Sequence, residues 1–181
     1  SIEDKLRELK ERHKELSKRI KEELERLTEE HRRVSEKIRK SLEEDKRRAD
    51  KVLERIRRER SDSEKLVRDL EKVLRDVERL YREVIKRNEE ALDRVRRLVE
   101  EIIERNERML RKVEELARRI KTEDVLRKVE EDSREVLKDS KRLLDEVATR
   151  SEEMLRRSEE LLKRIHETSK KVLDEIKTKL K

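Results

Sequence analysis

The chain has no glycine, no proline, no cysteine, no tryptophan and no phenylalanine in 181 residues. Average usage would supply about 13 glycines and about 9 prolines. Without glycine there are no phosphate-cradling loops and no nucleotide-binding fingerprints. Without cysteine there is no disulfide framework, no thiolate nucleophile and no clue to redox compartment. No apolar run approaches the ~20 residues of a transmembrane helix, and no targeting signal is evident. A soluble chain is expected, with its localisation otherwise open.

What remains is mostly charge. Asp, Glu, Lys and Arg make up 58% of the chain and apolar residues 30%, with a formal net charge of +7 from 56 basic and 49 acidic side chains. Low apolar content with high charge can mean disorder, but here the apolar residues fall on stripes rather than scattering. The composition is that of long helices and coiled coils. Because the two signs are interleaved, the charge reads as a solvated surface and not as the basic stripe of a nucleic-acid binder.

One stripe runs Ile2, Leu6, Leu9, Leu16, Ile20, Leu24, Leu27, Val34, Ile38, Leu42, Val52 and Ile56. A second repeats in blocks 18 residues apart, as in Val73/Ala91/Met109, Val77/Val95/Val113 and Leu80/Leu98/Leu116, and a third repeats as Val136/Met154/Val172 and Leu137/Leu155/Leu173. Eighteen residues at about 3.6 per turn is five whole turns, so each block returns to the same face without drift. Ser1, Ser61 and Thr122 stand where N-caps belong, with acids just behind them and basic residues closing each preceding segment. The expected elements are helix 2–59, turn 60–62, helix 63–120, turn 121–122 and helix 123–180, in a single elongated domain. Nearly sixty residues make a helix of about 85–90 Å. Short connections force antiparallel neighbours, and stripes this broad suit a helix facing two partners. The fold expected is an all-α, single-chain, up-down-up three-helix bundle, monomeric, with nearly straight helices.

Polar residues recur on the same stripes. His13 returns as His31, Asn88 as Asn106, and Ser133 as Ser151 and Ser169. When the chain is folded about its two turns, neighbouring helices lie level where residue numbers total about 120 or about 240. His13 with Asn106 and His31 with Asn88 both total 119, and Asn106 with Ser133 and Asn88 with Ser151 both total 239. Two buried layers follow, His13–Asn106–Ser133 and His31–Asn88–Ser151, with Ser17, Ser35, Ser140 and Ser158 as second members. Neutral His, Asn and Ser between them supply the donors and acceptors that such a layer needs. At the third height the face carries Ala49, Leu70 and Ser169, and Ser169 could bond its own helix one turn back. Asp45 takes the position held elsewhere by Leu9 and Leu27. The only aromatic residue, Tyr81, and also His166 lie near its height, so Asp45 is expected to pair with one or both.

Chemistry finds little support. His13 and His31 are about 27 Å apart along one helix and cannot share a metal. Lys10, Thr28 and Lys163 stand three residues before the histidines, where a di-metal bundle would need Glu. No Ser–His–Asp grouping suggests a nucleophilic site. We therefore expect no cofactor, no metal, no enzymatic activity and no required partner.

Taken together, the 18-residue blocks, the His/Asn/Ser layers, the capped turns and the Glu/Lys/Arg surface resemble computationally designed helical bundles with modular buried hydrogen-bond networks. The resemblance covers the whole chain, although glycine-free turns depart from usual design practice. It implies a structural scaffold whose polar layers fix helix register and partner choice. The alternative is a pH-responsive or partner-binding module, including a precursor whose three helices, once separated, would reassociate.

Overall fold

A computed structural model describes residues 1–59, 63–119 and 122–180. The protein is an all-α three-helix bundle. Helix α1 spans Ile2–Glu59, α2 Glu64–Ala117 and α3 Glu123–Lys179. These segments are helical because nothing breaks them and strong helix formers fill their surfaces. Spaced acid–base pairs add local support, among them Glu8–Arg12 at 2.8 Å, Glu44–Arg48 at 2.7 Å and Glu153–Arg157 at 2.8 Å.

The helix ends match the caps in part. The Ser1 Oγ accepts from the Asp4 amide at 3.3 Å, a side-chain N-cap. Thr122 stands at the N-cap position of α3, where its carbonyl accepts the first helical bond from the Leu126 amide at 3.4 Å. Helix α2 stops at Ala117, earlier than the expected 120. There the amides of Arg118 and Arg119 turn back to the carbonyls of Glu115 and Leu116, a tighter i→i+3 closure of the last turn. The Ser61 cap, and Ile120 and Lys121 at the second junction, lie outside the described residues. Among those described, none has a positive φ.

By its packing the chain divides into two compact units, Ser1–Glu29 with Leu92–Glu152, and Glu30–Ala91 with Glu153–Lys181. Each holds a segment of all three helices. In the first, Leu6 and Leu9 of α1 pack with Met109 and Val113 of α2 and with Leu126 and Val129 of α3. Further along α1, Leu16, Ile20 and Leu27 meet Val95, Val99 and Ile102 of α2 and Val147 of α3. As the α1 numbers rise, the α2 numbers fall and the α3 numbers rise, so α2 is antiparallel to both neighbours.

The second unit repeats this order. Val34, Ile38 and Leu42 pack with Val77, Tyr81 and Val84 and with Leu155, Leu162 and Ile165. Ala49, Val52 and Ile56 pack with Leu70 and with Leu173, Ile176 and Leu180.

The stripes are broader than the arc that the neighbours cover. Leu80 and Leu98, placed on the α2 stripe by the 18-residue repeat, are 41% and 43% exposed, whereas Val77 and Val99 beside them are buried. Two partner helices seal only part of the circumference, and leucines at the stripe's edge stay wet.

Candidate functional site

In the first unit, a polar layer sits between two apolar clusters. Along α1 it falls between Leu9 and Leu16, along α2 between Met109 and Ile102, and along α3 next to Val129. His13, Asn106 and Ser133 are fully sealed here, each at 0% exposure. The His13 Nδ1 lies 2.7 Å from the Asn106 Oδ1, and its Nε2 lies 2.5 Å from the Ser133 Oγ. The Asn106 amide nitrogen donates to the His13 carbonyl at 2.9 Å and to the Ser17 Oγ at 2.8 Å.

These bonds set the protons. Because the Asn106 nitrogen is used up as a donor to two oxygens, its Oδ1 is the atom facing His13, and it can only accept. The His13 Nδ1 therefore carries the hydrogen, and the neutral ring's Nε2 accepts from the Ser133 hydroxyl. Every ring nitrogen and both amide hydrogens are satisfied without a charge. Burial lowers the His13 pKa from its ordinary 6.5, more than the bond to Asn106 raises it.

In the second unit the same motif recurs. The His31 Nδ1 bonds to the Asn88 Oδ1 at 3.0 Å, and the Asn88 nitrogen donates to the His31 carbonyl at 2.9 Å and to the Ser35 Oγ at 2.5 Å. The His31 pKa is also lowered, by burial first, with Asn88 and the nearby Glu30 opposing. Ser151 is buried as expected.

The acceptance of an Asn donor by the histidine's own backbone carbonyl was not legible in the sequence. The only trace of it is the serine one turn after each His, which receives the second Asn hydrogen.

Other expected members do not join. The Ser140 Oγ is buried with no partner among the described residues. It stands two turns beyond Ser133, and in the register that pairs His13 with Ser133 its α1 neighbour is Ile20, which has nothing to offer. Ser158 and Ser169 are buried, but neither makes a side-chain hydrogen bond among the described residues. The back-bond expected of Ser169 is made instead by Thr28 to the Leu24 carbonyl at 2.8 Å and by Thr178 to the Asp174 carbonyl at 2.9 Å.

Asp45 of α1 gathers both of its expected partners. The Tyr81 hydroxyl donates to the Asp45 Oδ2 at 2.5 Å, and the His166 Nδ1 lies 2.9 Å from the Asp45 Oδ1. Tyr81 is wholly buried and Asp45 nearly so, while the His166 side chain is 32% exposed. The His166 Nδ1 makes no hydrogen bond among the described residues, so this contact is an electrostatic one. Desolvation raises the Tyr81 pKa above its ordinary 10.0, and the bond to Asp45 and that residue's charge add to the effect. Tyr81 is thus a permanent donor.

Among the described residues, no group of three or more His, Cys, Asp or Glu could hold a metal ion. No helix among them is long and apolar enough to cross a membrane. No protein family, curated protein or solved structure matches the chain.

Proposed function

We propose that the protein is a designed structural scaffold in which the buried His/Asn/Ser groups act as register marks between helices. The observation that carries this reading is the recurrence, atom for atom, of one motif at two positions 18 residues apart. Both times a His Nδ1 meets an Asn Oδ1, and both times the Asn nitrogen reaches the histidine's carbonyl and the serine one turn later. Such a motif costs about 1–3 kcal/mol for each buried group left unpaired, so it penalises any slid arrangement that keeps the apolar packing.

The test is the variant that replaces both layers whole with apolar residues, His13→Leu/Asn106→Leu/Ser133→Ala with His31→Leu/Asn88→Leu/Ser151→Ala, so that no partner is left stranded across the helices. Its melting temperature should hold or rise while uniqueness is lost, seen as doubled or broadened amide signals in NMR spectra. A fall of tens of degrees with a single sharp set of signals would refute the register role.

A second reading is supported by the lowered pKa values of His13 and His31. Both rings are held neutral by burial, so the scaffold doubles as an acid-sensitive element.

A further inference from the structure

His166 differs from the other two histidines in a way the scaffold reading does not use. His13 is bonded at both ring nitrogens, and His13 and His31 are at most 1% exposed. His166 has only its Nδ1 sealed, and that atom faces the buried Asp45 carboxylate at 2.9 Å. Its Nε2 has no hydrogen-bond partner among the described residues and is not among the buried unpaired atoms. The exposed third of the side chain therefore includes this edge of the ring.

The placement of the proton follows. A neutral imidazole carries one hydrogen on one nitrogen. A lone pair on Nδ1, 2.9 Å from a buried carboxylate oxygen, would be repelled by its charge, so the hydrogen belongs on Nδ1 and the lone pair on Nε2. Asp45 is itself held by the Tyr81 hydroxyl on its other oxygen, one anchor from each of the other two helices. A base oriented by a third group is the general arrangement of an activated nucleophile.

We propose that His166, positioned by Asp45, is a nucleophilic acyl-transfer site for small activated esters. The Nε2 lone pair attacks the ester carbonyl, and the carbon–oxygen bond to the leaving group breaks, with the electron pair departing as a phenolate. The acylimidazolium so formed is stabilised by the Asp45 carboxylate beside its Nδ1–H. Water then adds to the acyl carbon and loses one proton to solvent, the carbon–nitrogen bond breaks with its electrons returning to Nε2, and a carboxylic acid leaves. No oxidant, reductant or metal takes part.

The test uses the full chain with p-nitrophenyl acetate in excess, following nitrophenolate release through many turnovers. Lysine amines also attack this ester, but they form stable amides and stop after one acylation each. Sustained turnover above the protein-free rate therefore isolates the imidazole. The His166→Ala variant should lose the sustained phase and keep the lysine burst. Asp45→Asn should weaken that phase and also shift the ring-nitrogen NMR signals of His166 toward a mixture of tautomers, which a purely structural role would not do. If Asp45→Asn does not fold, Asp45→Leu/Tyr81→Phe serves instead: it removes both partners and restores the leucine of the repeat at position 45. Sustained turnover that survives in His166→Ala would overturn the proposal. So would a folded Asp45 variant with unchanged rate and unchanged tautomer signals.

Discussion

Two serines on α3 show how one residue type can play opposite parts. Ser133 supplies the hydrogen that the His13 Nε2 accepts, whereas the Ser140 hydroxyl is buried with no partner among the described residues. Removing Ser133 strands a buried acceptor, so Ser133→Ala should lower stability by about 1–3 kcal/mol. Ser140→Ala removes a group that was itself unsatisfied and should be neutral or stabilising, by up to about 1 kcal/mol. Urea unfolding of the two variants beside the parent checks this pair, and equal losses would contradict it. The sequence could not separate the two serines by pattern, because both lie on the inward stripe. Only the height of the residues opposite distinguishes them: Ser133 meets His13, while Ser140 meets the level of Ile20. The numbering of the layers made the first match legible, and the absence of a polar group at the second height could have excluded the other.

Along a helix, the 18-residue repeat fixes direction but not the width of cover. It placed Ile20, Leu27 and Val113 inward, and they are buried. It placed Leu98 on the same stripe as the buried members of α2, yet that residue is 43% exposed. Leu98 borders a surface groove whose other lining includes Ile102, Leu143 and Val147 with Arg105 and Arg108, so it rests against apolar neighbours from one side only. The same substitution should then give different results at two places. Leu27→Ala should cost about 2–5 kcal/mol, as a cavity in a sealed core does, while Leu98→Ala should stay within about 0.5 kcal/mol. Denaturant midpoints of the two variants measure the contrast, and comparable losses would mean that the edge of α2 is more covered than its exposure indicates. The ion pairs between helices, such as Lys21–Glu107 at 3.6 Å and Arg39–Glu89 at 2.9 Å, are largely exposed and add little to either value. Helix ends were legible where caps are local: the start of α1 follows from Ser1 and the acids behind it. The early stop of α2 at Ala117 was not, because a tightened last turn leaves no compositional mark.

For the molecule as a whole, the absence of glycine and proline together with three stripes made the all-α bundle legible from the sequence. The antiparallel order followed from the short connections. The numbering then brought His, Asn and Ser to common heights. What escaped was the backbone's share in each motif, since a carbonyl has no letter in the sequence. The consequence at this scale is acid sensitivity, because each of the two units contains one histidine sealed in its neutral form. Both pKa values are lowered on folding, with desolvation the largest cause. In the unfolded chain these rings take up protons near ~6.5. Their stabilising contribution is therefore complete above that value. It declines as the pH falls below it and is exhausted once the pH passes the lower folded values. Most exposed carboxylates begin to titrate only near ~4–4.5, which leaves the interval from about 6.5 down to about 5 to the histidines. Urea midpoints should be level from pH 8 to 7 and then fall across that interval. His13→Gln/His31→Gln, which keeps hydrogen-bonding capacity but cannot take up a proton, should flatten the fall whatever its starting stability. A parent profile flat to pH 5, or an unchanged slope in the double variant, would show that the two sealed rings do not govern the response to acid.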